Sequence, residues 1–216
     1  MVLAGVAAAF LLCAAALATD ARAQDADCRG QVVLDAGHGG TDSGAVNKEY
    51  GLTEKAQTLN VANRTRALLE ADGYSVCMTR TSNSETLSNS DRYTYANATG
   101  ARVLVSVHMN GASNATTDYT TTLFGKWRKD KELATTVFGS LSTLPAADGT
   151  AKIPTRTPYS FASGVLLKSN MPATIAETVF ITNDREAQLL SNGTGTRQHQ
   201  IAQALKTGIE RYLATQ

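Results

Sequence analysis

The sequence predicts a single α/β domain in which helices flank both faces of a mostly parallel central sheet of about six strands. Short apolar segments rich in valine alternate along the chain with segments of helical periodicity. This alternation is typical of strands joined by right-handed crossovers. A length of 216 residues, without an internal repeat or a low-complexity linker, agrees with one domain.

The strands are expected where short apolar runs lie between turn residues. The first run precedes a glycine-rich turn, and the third ends at a histidine. The predicted strands are residues 32–34, 74–79, 102–108, 119–123, 164–167 and 173–178.

The helices are predicted from apolar residues at helical spacing and from their start and stop residues. Gly73 marks the end of the first helix, Pro145 ends the third, and Asn183 caps a short one. The predicted helices cover residues 52–72, 88–99, 131–144, a short segment after 183, and 197–213. Residues 146–163 carry turn signals without periodicity, so they are predicted to form a surface loop near the functional site.

The charge of the chain is nearly balanced, with 20 basic and 19 acidic residues and a formal net charge of +1. Such a chain has no general electrostatic attraction to nucleic acids or to anionic membranes. We therefore expect no nucleic acid partner. A monomer is expected as well, since no feature of the sequence points to an oligomer.

An N-terminal secretory signal peptide is predicted over residues 1–23. Residues 2–17 are almost wholly apolar, and Ala21-Arg22-Ala23 has the small-x-small pattern that precedes signal-peptidase cleavage. A membrane-spanning helix is the alternative, but the apolar run is short for a span. We therefore expect residues 24–216 to form one exported domain without a stable membrane anchor.

Two cysteines remain after such cleavage, Cys28 before the first strand and Cys77 in the second. In an exported chain they are expected to form one disulfide that ties the N-terminal arm to the sheet. Two buried free thiols are the alternative. Neither cysteine has a CxxC neighbour, so zinc ligation by thiolates is not expected.

Two histidines follow valine-rich strands in the same way. His38 lies in the glycine-rich turn after the first strand, and His108 ends the third. The carboxyl ends of parallel strands share one edge of a sheet, so neighbouring strands would bring the two imidazoles together. Such a pair suits zinc. The alternative is that each histidine only satisfies a hydrogen bond in its turn.

A hydrolytic zinc site adds a carboxylate to its imidazoles and keeps one position open for water. Glu54, in the first turn of the first helix, is predicted to supply this carboxylate. Asp42 and Asp35 are rivals, and Asp35 also suits a role in holding an imidazole tautomer. The alternative for Glu54 is a simple interaction with the helix dipole.

Glu177 closes the last apolar strand. A buried carboxylate there is costly unless a metal, a substrate or a partner needs it. Glu177 is therefore predicted to act as the base or acid of catalysis. Structural pairing with an arginine is the alternative.

Several separated motifs occur in this chain, in the order typical of one bacterial enzyme family. They are residues 34–40 (Leu-Asp-Ala-Gly-His-Gly-Gly) with Asp42 and Gly44, Glu54, Thr79-Arg80, Arg92 with Ala96-Asn97, residues 106–110 (Ser-Val-His-Met-Asn), and residues 172–177 with Phe180 and Asn183. On these residues the chain resembles the zinc-dependent N-acetylmuramoyl-L-alanine amidases, particularly compact secreted members from actinobacteria. These enzymes cleave peptidoglycan between the lactyl group of the glycan and the first residue of the stem peptide.

The resemblance implies one zinc ion, Zn2+, bound by His38, Glu54 and His108, with Glu177 as the catalytic carboxylate. It also implies a mixed α/β sheet and a peptidoglycan or muropeptide substrate. The expected location is the periplasm or cell wall of a bacterium, and the expected roles are wall remodelling, turnover or daughter-cell separation. No separate wall-binding domain is expected.

Further candidate residues are Asp35, Arg80 and Asn110, for contacts to the substrate or to the metal ligands. Two other functions fit the same motifs. One is a zinc peptidase that acts within the stem peptide, and the other is a catalytically silent peptidoglycan-binding module.

Overall fold

The computed structural model of the protein describes residues 28–126, 128–149 and 151–216. The predicted signal peptide, residues 1–23, lies outside the described residues. In chain order the elements are β1 (Val32–Ala36), β2 (Val46–Asn47), β3 (Leu52–Thr53), α1 (Glu54–Ala71), β4 (Val76–Met78), α2 (Asn89–Thr99), β5 (Val103–Asn110), β6 (Thr121–Phe124), α3 (Lys129–Leu141), β7 (Tyr159–Ser160), α4 (Gly164–Lys168), β8 (Ala173–Phe180), α5 (Asp184–Ser191) and α6 (Thr196–Leu213).

Six strands form the central sheet, in the order β4-β1-β5-β8-β6-β7. Strands β4, β1, β5 and β8 run parallel to one another, whereas β6 is antiparallel to β8 and parallel to β7. The predicted mixed, mostly parallel sheet is therefore confirmed. Strands β2 and β3 form a separate antiparallel hairpin, which is too short to give a sequence pattern.

Alternate residues of a strand point to opposite faces of the sheet. In β1, Val32 and Leu34 belong to the larger apolar cluster, with side chains of α1, α3, α5 and α6. Val33 points the other way, into a smaller cluster that α2 and α4 cover. Both faces of β1 are closed to water, which explains its continuous apolar run.

One strand prediction was wrong. Residues 164–167 form the start of helix α4, and the sixth strand is β7, inside the predicted loop 146–163. An apolar run of three residues fits a short helix as well as a strand. Burial decides the case, because Val165 and Leu166 pack on the smaller cluster whereas Leu167 is 46% exposed.

Helix α3 begins two residues earlier than predicted, and the cause is the side chain of Asp130. Its buried carboxylate accepts hydrogen bonds from the backbone N–H groups of Gly125, Lys126 and Ala173. These bonds tie the end of β6 to the first turn of the helix and to the start of β8. The helix ends three residues early, where Thr143 and Leu144 make tighter i→i+3 bonds.

The predicted disulfide between Cys28 and Cys77 is present. It links the segment before β1 to the edge strand β4, across a sequence separation of 49 residues. Cys77 is fully buried in the smaller apolar cluster. The bridge therefore fixes the start of the described chain against the sheet.

Removal of this disulfide is expected to lower the free energy of unfolding by about 4 kcal/mol, because the cross-link restricts the unfolded chain. Urea denaturation with and without a reductant measures the loss. The double variant Cys28→Ala, Cys77→Ala is the control, since reductant should leave its transition unchanged. Equal stability of the oxidised and reduced protein would contradict this expectation.

No helix in the described part of the chain has the length and hydropathy needed to cross a membrane.

Several of the candidate site residues lie on neighbouring strands of the central sheet. Register pairs Asp35 of β1 with Ser106 of β5, and His108 of β5 with Glu177 of β8. The carboxyl ends of these three central strands therefore lie side by side.

Candidate active site

The turn after β1 holds His38 in an uncommon backbone conformation. Its φ angle is 61°, and it is the one non-glycine residue with positive φ in the described ranges. Such a conformation costs about 1–3 kcal/mol and persists only when surrounding contacts fix it. Here the backbone of Gly39 exchanges hydrogen bonds of 2.9 and 3.0 Å with that of Asp42. The turn thereby presents the imidazole to a cavity at the strand ends.

Three predicted ligands converge in this cavity. Glu54 Oε1 lies 3.0 Å from His38 Nε2 and 3.1 Å from His108 Nδ1, and the ligand atoms of all three residues lie within 4.8 Å of one another. Two imidazole nitrogens and one carboxylate oxygen are the donors of many hydrolytic zinc sites. The residues present therefore fit a single zinc ion.

The carboxylate of Glu54 is held by the backbone on both sides. Its Oε1 accepts a hydrogen bond of 2.9 Å from the N–H of Met109, and its Oε2 accepts one of 2.8 Å from the N–H of Ala45. Glu54 is the first residue of α1 and is buried. These bonds fix its position relative to β5 before any ion is bound.

The electrostatics of the three groups are coupled. Burial raises the pKa of Glu54, but hydrogen bonds with His108 and His38 outweigh it and hold that pKa far below its usual range. Burial lowers the pKa values of His38 and His108, yet the Glu54 carboxylate raises both above their ordinary value. The carboxylate thus stays ionised, as a metal ligand must be.

Asp42 contacts the opposite side of the His38 ring. Its Oδ2 lies 2.8 Å from His38 Nδ1, and its Oδ1 accepts a hydrogen bond from the N–H of Gly44. A carboxylate in this place fixes the tautomer that leaves Nε2 free to bind a metal. The structure therefore gives Asp42 the imidazole-holding role that the sequence suggested for Asp35.

Asp35 lies instead in a buried network beneath the site. Its carboxylate is 2.7 Å from the guanidinium of Arg92, and it accepts hydrogen bonds from the hydroxyls of Thr79 and Ser106. Burial raises the pKa of Asp35, but Arg92 and the two hydroxyls lower it below its ordinary value. Asp35 is fully buried, so its contacts are with the scaffold and not with a substrate.

Two buried arginines bind the carbonyl groups of the His38 turn. Arg92 donates to the carbonyls of Ala36 and His38, and Arg80 donates to those of Ala36 and Gly37. Arg80 is only 1% exposed, which excludes direct contact with a substrate in this conformation. The arginines thereby satisfy carbonyl groups of the turn and of the residue before it.

Glu177 lies on the wall of the same cavity, beside His108 in the sheet register. Burial raises its pKa above the ordinary value, and the nearby Glu54 carboxylate adds to this rise, while His108 and His38 oppose it. A carboxyl group with a raised pKa is suited to accept and return a proton near neutral pH. The cavity has a volume of about 460 Å³, large enough for a small peptide fragment.

The cavity has two chemically different walls. Polar groups from the ends of β1 and β5 form one, and apolar side chains from β6, β7 and β8 form the other, including Leu123, Tyr159 and Ile175. Asn110 belongs to the polar wall, and its buried Nδ2 has no hydrogen-bond partner among the described residues.

Comparison with known proteins decides the family. The family model described as N-acetylmuramoyl-L-alanine amidase matches residues 32–211, which include every element of the central sheet. The chain belongs to the N-acetylmuramoyl-L-alanine amidase family.

Relatives of this amidase agree in sequence and in fold. An uncharacterized protein of Bacillus subtilis, YqiI, is 33% identical over 93% of this chain and 94% of its own length. The N-acetylmuramoyl-L-alanine amidase AmiA of Salmonella typhimurium is 29% identical over 84% of this chain and 75% of its own length. The crystal structure of an N-acetylmuramoyl-L-alanine amidase from Clostridium difficile superposes with a TM-score of 0.76, at 30% identity, over 88% of this chain and 99% of that one.

An actinobacterial structure also shares the amidase fold. Ami1 from Mycobacterium smegmatis superposes with a TM-score of 0.68 at 20% identity, over 88% of this chain and all of that one. At this identity the likeness concerns the fold alone, so the predicted resemblance to compact actinobacterial members stays a prediction.

The contacts that support the two imidazoles were not predicted from the sequence. Asp42 is predicted there as a rival ligand, and Arg92 only as part of a motif. One signal was present for Arg92, because it precedes Ala96 by four residues and both lie on the buried face of α2. A charged residue on the buried face of a helix indicates a buried partner.

Gly37 makes room for the side chain of His108, a predicted metal ligand. A Cβ atom at this position would lie 2.4 Å from His108 Nε2, closer than any relaxed contact. Gly37→Ala is therefore expected to displace His108 and to weaken zinc binding by at least tenfold, while the fold is retained. Competition with a metallochromic chelator measures this affinity.

The matched control for this substitution is Gly139→Ala in α3, where a Cβ would meet nothing within 4 Å. It should keep the zinc affinity of the unaltered protein and slightly raise stability, since alanine favours helices over glycine by about 0.5–1 kcal/mol. Unchanged zinc affinity in Gly37→Ala would contradict this expectation.

Proposed function

We propose that this amidase hydrolyses the amide bond between N-acetylmuramic acid and the L-alanine of the peptidoglycan stem peptide, with one zinc ion held by His38, Glu54 and His108. The observation that carries the proposal is the convergence of these three side chains beside Glu177, at the ends of adjacent strands. A bound zinc ion would lower the pKa of its water to about 7 and polarise the amide carbonyl.

In this mechanism Glu177 is the group that moves protons. Its carboxylate accepts a proton from the attacking water and delivers it to the nitrogen of L-alanine as the amide bond breaks. Amines leave poorly without such protonation, and acid–base help of this kind contributes about 10²- to 10⁴-fold in rate. The buried position beside His108 keeps the proton within the site.

The remaining polar residues of the site hold the proposed ligand His38 in place or contact the substrate. Asp42 holds the His38 ring, and Asp35 acts through Arg92 and Arg80 on the backbone of the His38 turn. Asn110, on the cavity wall, is proposed to contact the substrate.

The proposed setting is the bacterial envelope. Residues 1–23 would direct export, and residues 24–216 would act as a monomeric catalytic domain in the periplasm or cell wall. One relative, from Staphylococcus saprophyticus, is described as a probable cell wall amidase. Wall remodelling, turnover and daughter-cell separation are the processes in which this cleavage would serve.

Mass spectrometry of the products tests the proposed function. Zinc-loaded protein acting on whole peptidoglycan and on muramyl peptides should release stem peptides that begin with L-alanine. His38→Ala should lose both zinc and activity, and Glu177→Ala should lose activity alone. Cleavage within the peptide would instead indicate a peptidase, and binding of peptidoglycan without cleavage would indicate a silent binding module.

A further inference from the structure

Arg156 is an exposed cation that stacks on Tyr159, a residue that lines the cavity. It follows the bridge between Thr120 and Thr155, and its backbone N–H donates a 3.0 Å hydrogen bond to the carbonyl of Thr120. The hydroxyl of Thr120 in turn donates to the carbonyl of Glu177. The backbone of Arg156 is therefore fixed relative to the proposed catalytic carboxylate.

The guanidinium group of Arg156 is also held in place. Its carbon lies 4.7 Å from the ring centroid of Tyr159, and Nη1 lies 3.4 Å from the hydroxyl oxygen of Tyr119. Tyr159 lines the cavity, and Tyr119 packs edge-on against Phe180. Stacking on an aromatic ring restricts an arginine and leaves its N–H groups free to bind an anion.

Arg156 has no acidic partner within ion-pair distance among the residues that the structure describes, whereas two other surface arginines have one. Arg66 pairs with Glu70, and Arg185 pairs with Asp148. An exposed, oriented guanidinium beside a binding cavity matches a carboxylate, which it can bind through two parallel hydrogen bonds.

The proposed substrate carries free carboxylates on one side only. The lactyl carboxyl of the muramyl sugar is consumed in the bond to be cleaved, and the N-acetylated sugars are uncharged. The stem peptide beyond L-alanine, in contrast, contains residues with free carboxyl groups. A cation beside the cavity therefore indicates the side of the cavity that holds the stem peptide.

Distances along the sheet agree with this assignment. Glu177 and Arg156 are separated by two strand spacings, or roughly 10 Å between backbones. An extended peptide advances about 3.5 Å per residue. The carboxyl group of the second or third stem residue would thus come within reach of the Arg156 side chain when the first residue lies at Glu177.

We propose that Arg156 is a specificity-determining residue that binds a free carboxylate of the stem peptide and favours stems that carry one. The inference rests on the proposed amidase function. It names the substrate class as muropeptides with an unamidated acid near the cleaved bond, and Tyr159 and Tyr119 as the groups that orient the guanidinium.

Two muramyl tripeptides test the inference, identical except that the second stem residue bears either a free α-carboxylate or its carboxamide. The unaltered protein is expected to show a kcat/KM about fivefold higher for the acid, and sodium chloride should reduce this preference. Arg156→Gln should lose the preference through slower cleavage of the acid alone. Arg156→Lys should keep part of it, because the charge remains without the planar fork.

Arg211→Gln, an exposed arginine on α6, is the matched control and should retain the full preference. Loss of the preference in Arg156→Gln alone would support the inference. An equal fall of Arg156→Gln on both substrates, or an unchanged ratio, would overturn it while leaving the amidase function intact. Failure of the unaltered, zinc-loaded protein to cleave either substrate would overturn both.

Discussion

Glu177→Gln is expected to lower kcat by about 10³-fold while zinc remains bound. Glutamine preserves the size of the side chain and its place beside His108, but it cannot accept a proton from water. Elemental analysis of the purified variant, together with stopped assays on a muramyl peptide, separates loss of metal from loss of chemistry.

The control for this prediction is Glu70→Gln, which alters an exposed glutamate on α1 that pairs with Arg66. It should hydrolyse the substrate at the rate of the unaltered protein. A Glu177→Gln protein with full zinc content and normal kcat would remove Glu177 from the mechanism, and the base would then have to be sought elsewhere in the cavity.

Arg92→Met is expected to lower the free energy of unfolding by about 3–5 kcal/mol, because it leaves the buried Asp35 carboxylate without its counterion. The two side chains are 6% and 1% exposed and lie 2.7 Å apart. Arg66→Met, which breaks an exposed helical pair, should cost less than 1 kcal/mol. Urea denaturation of both variants makes the comparison, and equal losses would contradict it.

The ion pair between Arg92 and Asp35 also makes the free energy of unfolding depend on pH. The pKa of Asp35 is lower in the folded protein than its ordinary value of 3.8, since Arg92, Ser106 and Thr79 outweigh the effect of burial. A depressed folded pKa adds stability above the unfolded pKa, and this stability is lost as the pH falls through the folded pKa. Without Arg92, burial raises the pKa of Asp35, so the variant regains stability when this carboxyl is protonated. The difference between the unaltered protein and Arg92→Met should therefore be largest at high pH and shrink as the pH falls.

Most of the site residues that the sequence predicted lie at strand ends, and Glu54, at the start of α1, is the exception. His38, His108 and Glu177 each follow an apolar run, and parallel strands bring their ends together without further information. The supporting contacts depend on which helix face packs on the sheet and on how a turn bends. Hence the sequence did not distinguish Asp42 from Asp35 as the partner of an imidazole.

The wrong strand prediction, at residues 164–167, also arose because a contact between distant segments is not written in a local pattern. The edge strand β7 has two residues, and its pairing with β6 depends on the path of a long connection and not on its own composition. The nearby apolar residues of α4 were the stronger signal, but they belong to the layer that covers the sheet. Strong local patterns therefore predicted the central strands and the edge strand β4 correctly, but not the edge strand β7.

The positions of the three proposed ligands along the chain have a consequence for folding. His38, Glu54 and His108 lie in separate segments and meet only when β5 has paired with β1 and α1 has packed on their face. Pairing between distant segments is slow relative to helix formation. Metal uptake should therefore be a late event, which follows closure of the sheet and then stabilises the native state by mass action.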